Sequence, residues 1–198
     1  MEDAEELRKI LEKIERKIVA VGKIYSAINF AYWLMVMSVF YVILAFFRPS
    51  STISAVYWVV AMIAGVAVSG ILFRRIMRIA KRSGEKRGSR TVAAFIFLSW
   101  VAGAILGFLV LPATLSAGFG AALLSFLSIS LFGMWAVLSY SGGLELEMVP
   151  SFLITAIGAV VAFTSAEDLS VWAGFVIVTA FSVTMLLYLY SAFRIIGD

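Results

Sequence analysis

The stretch "ISAVYWVVAMIAGVAVSGILFRRIMRIAKRSGEKRGSR", Ile53 to Arg90, changes character at Phe73. Before that point it carries no charge; after it come eight basic residues against one acid. As an α-helix, residues 53–73 would be about 30 Å long, the thickness of a bilayer's hydrocarbon core. The basic run behind them predicts which side that end occupies, because short loops rich in Lys and Arg are retained in the cytoplasm.

The rest of the chain repeats the first half of this pattern. Of 198 residues, 63% are hydrophobic and 14% charged, against about half and a quarter in ordinary soluble domains. The apolar residues fall into blocks bounded by charge, proline or polar turns, at 24–47, 53–73, 91–111, 115–140, 149–165 and 169–193. The prediction is an all-α, polytopic membrane helical bundle with six transmembrane helices. The fifth block, "VPSFLITAIGAVVAFTS", sits at the lower limit of about 17 residues for a span. The first twenty residues are charged and lack the apolar run of a cleavable signal, so the first span is expected to act as the insertion signal. Two regions follow: residues 1–23, and a membrane domain at 24–198 with a basic loop at 74–90.

Counting cations on alternating loops sets the orientation. One side holds Arg8, Lys9, Lys13, Arg16, Lys17, Lys23, the basic run and Arg194; the other holds Arg48. The protein is expected to be integral to the cytoplasmic membrane with both termini cytoplasmic. The external turns, "RPSST", "PAT" and "SAED", are short. The basic run then lies at the inner leaflet, where Arg74, Arg75, Arg78, Lys81 and Arg82 share one face of a continued helix. Anionic headgroups would be met there at about 1 kcal/mol per charge. Nucleic acid is disfavoured, since neither interleaved aromatics nor a separate basic domain accompanies the run.

Residues 1–23 have another rhythm. Leu7, Ile10, Leu11, Ile14, Ile18 and Val21 recur at steps of three and four, the spacing of an amphipathic cytoplasmic or interfacial helix. Glu5 with Lys9 and Glu12 with Arg16 are favourable i,i+4 pairs. A helix lying on anionic lipid is normally basic on its polar face; near-balance here favours a protein partner through residues 2–20, with a plain interfacial helix as the alternative.

Two patterns bear on packing. "TISAVYW" at Thr52, "TLSAGFG" at Thr114 and "DLSVWAG" at Asp168 are each expected to open an even-numbered span. Either they mark three tandem helical hairpins or they converge because Thr, Asp and Ser are good N-caps. Ser99, Gly103 and Gly107 on the third span, and Ala61, Gly65 and Ser69 on the second, form small-residue ridges that allow close backbone approach. The second to fourth spans are expected to pack tightly.

Chemically the inventory is thin. With no His and no Cys, haem, thiolate metal sites, thiol chemistry and serine hydrolysis with a His base lose their ligands and bases. No Asp or Glu falls inside a predicted span, which disfavours carboxylate proton relays and aspartyl proteolysis. Neither a metal site nor a cofactor is expected. Glu145 and Glu147 in "SGGLELEMVP" are a minimal hard-cation pair, more simply read as partners of the basic run. Uncharged polar residues share helix faces: Tyr25, Asn29 and Tyr32; Ser125 and Ser128; Thr184, Tyr188 and Ser191. They are candidates to line a hydroxyl-rich path for solute, or else to bond across to neighbouring helices.

Three functions fit, in this order: a non-enzymatic, membrane-embedded subunit of a transport or other complex; a self-contained carrier, channel or small-molecule-binding component for a neutral or apolar solute; and an interfacial lipid-modifying enzyme using Glu145, Glu147 and the basic run. The chain also has no Gln, one Asn and eight Met. Depletion of amides and thiols, set against those methionines, fits a hyperthermophile source. Circular dichroism in detergent should therefore show helicity retained above about 90 °C; melting at mesophile temperatures would refute that reading.

Overall fold

A computed structural model describes residues 2–47, 49–82, 90–115, 118–142, 145–165 and 170–197. Nearly all of these residues are helical, and none of them is in a strand. Helix α1 runs unbroken over Glu2–Phe47, about 70 Å of continuous rod. It crosses the boundary expected near residue 23, where Gly22 is the one helix-weakening residue and Pro is absent. Helix α2, Ser51–Arg82, likewise runs past its apolar block into the basic run. Of that run's side chains only Arg74, exposed, is described; those of Arg75, Arg78, Lys81 and Arg82, and residues 83–89, lie outside the described residues.

The third apolar block is built in three pieces: α3, Arg90–Ile105, a π turn, Leu106–Val110, and α4, Leu111–Leu115. Pro112 explains the middle piece. It has no N–H to offer, and its ring crowds the carbonyl four residues back, so the preceding turn widens instead of ending the helix. Helix α5, Phe119–Gly142, is followed by a 3-10 turn at Leu146–Met148, then α6, Val149–Thr164, and α7, Ser170–Gly197. Six stretches among the described residues are long and apolar enough to cross a membrane, and the fifth, Leu146–Thr164, reaches 19 residues by including the 3-10 turn.

The α1–α7 pair is the most extensive contact, and α5 and α6 complete the central group. Phe30 of α1 meets Phe181 edge-on at 5.4 Å and stacks on Tyr188 at 5.9 Å. Leu124, Ile177, Ala173 and Ala180 are buried around them. Helix α3 lies outside α5, and α2 lies outside α1.

The small-residue ridges decide those outer contacts. A Cβ on Gly107 would lie 2.5 Å from the Phe126 backbone nitrogen, and one on Gly103 would collide with the Ser130 hydroxyl. Ser99 bonds to the carbonyls of Ile96 and Ser130 and packs against Gly133. The third and fourth apolar blocks thus pack as closely as expected. The second does not join them: Ala61, Gly65 and Ser69 face α1, where Gly65 makes room for the rings of Trp33 and Tyr32. Two bulky aromatics on α1 require small partners, and α2 supplies them.

The described openings of the two "T-x-S-A" segments, at Thr52 and Thr114, sit at different places; Ser116 and Ala117 lie outside the described residues. Ser50, not Thr52, caps α2 by accepting from the Ile53 N–H at 3.4 Å. Thr114 does not open a helix; it lies in α4 and donates to the carbonyls of Val110 and Leu111, while α5 begins at Phe119. Asp168 lies outside the described residues. Two helical glycines give a direct test of the packing. Gly107→Ala must push the π turn at the end of α3 away from α5 and should destabilise by about 1–3 kcal/mol. Gly70→Ala, where a Cβ meets nothing within 4 Å, should stabilise by about 0.5–1 kcal/mol. Denaturant titration in detergent reads both; equal effects would refute the close approach of α3 to α5.

Candidate functional sites

The densest polar arrangement lies where α1, α7 and the 3-10 turn meet. The turn is fixed from inside: Met148 is buried, and the Glu145 carbonyl accepts from the Trp135 indole N–H at 3.0 Å and from the Met148 N–H at 3.2 Å. Glu145 takes a non-helical backbone conformation (φ −93°, ψ 72°), so residues 145 and 147 present both carboxylates to one neighbour. That neighbour is Lys23, whose Nζ lies 2.7 Å from Glu147 and 3.2 Å from Glu145. The ammonium also sits 5.6 Å from the centre of the Tyr188 ring. Ser191 lies beside Glu147, and the Tyr188 hydroxyl lies beside Glu145 and Ser26.

The side chains of Lys23, Glu145 and Glu147 are only 14%, 32% and 15% exposed. Charges so withdrawn from water survive because each is paired and hydrogen-bonded. Among the described residues the partner of the two acids is therefore Lys23; of the basic run expected from sequence only the Arg74 side chain is described. Lys23 and Glu145 are 122 positions apart, and Lys23 reads in sequence as one more loop cation. The available signal was its place beside Ala20, Ala27 and Phe30, the buried face of α1.

The candidate solute-lining residues are dispersed along helix interfaces. Ser69 donates to Asn29 at 2.9 Å, Tyr32 to the Ala61 carbonyl at 2.7 Å, and Tyr57 to the Val36 carbonyl at 2.5 Å, forming a polar seam between α1 and α2. Ser128 donates to the Phe152 carbonyl on α6 at 3.1 Å. Ser125 and Thr184 are buried, and Tyr25 is half-buried. The structure brings together only Tyr188 and Ser191, through the Lys23 network.

A feature missed in the sequence occupies the other end of the bundle. A cavity of about 1030 Å³ opens between the outer helices, walled by α1, α2, α3, the π turn, α5 and α7. Its innermost lining residues are Trp33, Met62, Trp100, Leu127 and Phe181; Ala45, Ser54 and Ser170 line it near the turns. Among the described lining residues none is charged, and none is a candidate solute-lining residue named from sequence. Apolar side chains cover all faces of membrane-type helices, so the cavity left no periodic signature.

Fold and sites together define a helical bundle with six helices of membrane-crossing length, clamped by charge at one end and cleft at the other. Comparison with protein-family models, with curated proteins and with solved structures finds no match in any of the three. The clamp makes a quantitative prediction. Lys23→Met leaves two withdrawn carboxylates unpaired and should cost about 3–5 kcal/mol, whereas adding Glu145→Gln and Glu147→Gln should recover most of that loss. Unfolding in detergent reads the cycle; additive losses would show that the three charges do not act as a unit.

Proposed function

We propose that this chain is a non-enzymatic integral membrane protein that binds an apolar solute in the cleft, as a carrier or small-molecule-binding component. The observation that carries this reading is the cavity: about 1030 Å³, aromatic-walled, and with no charged side chain among its described lining residues. Sites for small molecules are of this kind, concave and predominantly apolar with few polar groups. In this reading the six apolar helices cross the cytoplasmic membrane and both termini are cytoplasmic. Arg74, Arg75, Arg78, Lys81 and Arg82 meet anionic headgroups of the inner leaflet. The Lys23 network is a strut between α1, α7 and the α5–α6 turn. Glu145 and Glu147 are engaged by Lys23, which leaves an enzyme reading little to draw on.

A second reading, a subunit of a transport or other membrane complex, draws on a separate observation. Residues 5–17 of α1 are exposed, including Leu7, Ile10, Leu11 and Ile14. That apolar stripe on a nearly charge-balanced helix suits a protein partner held through residues 2–20.

Native mass spectrometry after gentle extraction tests both. The cleft reading expects a small apolar molecule on the native protein and its loss from Ala45→Trp/Ala55→Trp, two exposed cleft alanines whose enlargement fills the space. A ligand-free chain would refute it. A stoichiometric protein partner, lost on deleting residues 2–20, would move the assignment to the second reading.

A further inference from the structure

The cleft has dimensions and a polarity gradient that specify more than an apolar occupant. From Ala45 to Trp33 on α1, and from Ser170 to Phe181 on α7, the lined length is about 17 Å at 1.5 Å per residue. That is close to half of a hydrocarbon core about 30 Å thick. The innermost lining residues lie near the middle of the helices that carry them: Met62 in the apolar stretch Ser51–Leu72, Phe181 in Ser170–Gly197, Leu127 in Phe119–Ser141. Inward of that level α2 closes on α1 through Gly65 and through the Ser69–Asn29 bond. The cleft is thus one leaflet deep, on the side of the α1–α2 turn.

Polarity changes along this depth. The inner end is built from Trp33, Met62, Trp100, Leu127 and Phe181, while hydroxyls enter with Ser38 and Tyr41 and continue to Ser54 and Ser170 at the turn end. None of the described lining residues is Lys or Arg, and a phosphate or carboxylate buried among them would lack a counter-charge and cost several kcal/mol. Hydroxyls at that end can serve an uncharged head that accepts or donates hydrogen bonds. The side walls complete the picture. Helix α2 packs on α1 and α3 on α5, so the gap between α2 and α3 faces outward, where a molecule already in the leaflet can slide in sideways.

Resting on the cleft reading above, we infer that the ligand is a single-leaflet amphiphile: a chain about as long as one leaflet, with a small uncharged hydroxyl- or carbonyl-bearing head lodged by Ser54 and Ser170. A volume at the top of the range for drug-sized ligands, about 300–1000 Å³, fits a long chain better than a compact solute.

Tryptophan quenching tests this, because Trp100 lines the inner end whereas Trp172 is absent from the lining. Variants retaining only Trp100 or only Trp172, the others changed to Phe, are reconstituted in phosphatidylcholine vesicles. Each is titrated with three probes: a diacylglycerol brominated at its chain ends, a phosphatidylglycerol brominated likewise, and a bromoalkane. The expected result is saturable quenching of Trp100 by the diacylglycerol, at roughly tenfold lower mole fraction than by the phosphatidylglycerol, with Trp172 following bulk lipid alone. Equal or stronger saturation by the phosphatidylglycerol or the bromoalkane overturns the uncharged-head inference and leaves the cleft reading standing. Quenching of Trp100 no greater than that of Trp172 by any probe overturns both. Should the single-tryptophan variants fail to fold, Ala55→Trp, which keeps every native tryptophan and plugs the cleft, must abolish the saturable component seen in the native protein; its persistence counts against the site.

Discussion

Everything at one end of this bundle depends on how Lys23 is neutralised. Its ammonium is largely withdrawn from water between two carboxylates that come from a turn 122 to 124 positions away. An unpaired charge there would be costly, so electrostatics adds to packing in holding α1, the 3-10 turn and α7 in register. Trp135 bonds the Glu145 carbonyl, Tyr188 lies against the ammonium, and the aromatic contacts of Phe30 begin directly beneath. A junction so paired fixes the central helices at that end. The outer helices are then free to be placed by other forces.

Those forces differ on the two sides. Helix α3 follows α5 by near-contact of backbones, because Gly103 and Gly107 remove the side chains that would hold the pair apart. Helix α2 follows α1 through rings and hydroxyls, with Tyr32 and Tyr57 each reaching a main-chain carbonyl of the opposite helix. Neither mechanism joins α2 to α3. The cleft between them is the direct result of two outer helices choosing different inner partners.

The apolar blocks, their order and the close fit of Ser99, Gly103 and Gly107 were legible because each depends on local sequence. Boundaries were less so: α2 extends through Arg82, since nothing before residue 83 breaks a helix, and the third block continues past Val110 because a widened turn absorbs Pro112. The Lys23 pairing was hidden by sequence distance. The polar residues were read for the right faces, yet Asn29 and Tyr32 have the same spacing whether they line a lumen or bind a neighbouring helix, and they meet α2. The cleft had no local signal at all, because Trp33, Trp58 and Trp100 come from separate helices and look like any lipid-facing aromatic.

The unbroken course of α1 has a mechanical consequence. Reckoned from Lys23, its N-terminal arm is about 30 Å long and the arm reaching Tyr41, on the cleft wall, about 27 Å, at 1.5 Å per residue. Only the first of these arms stands clear of the bundle; the second is packed along α7. Sideways force on the exposed arm at Leu7 to Ile14 would therefore act as a bending moment at Lys23, borne by its two carboxylates and by the packed length of α1 beneath them.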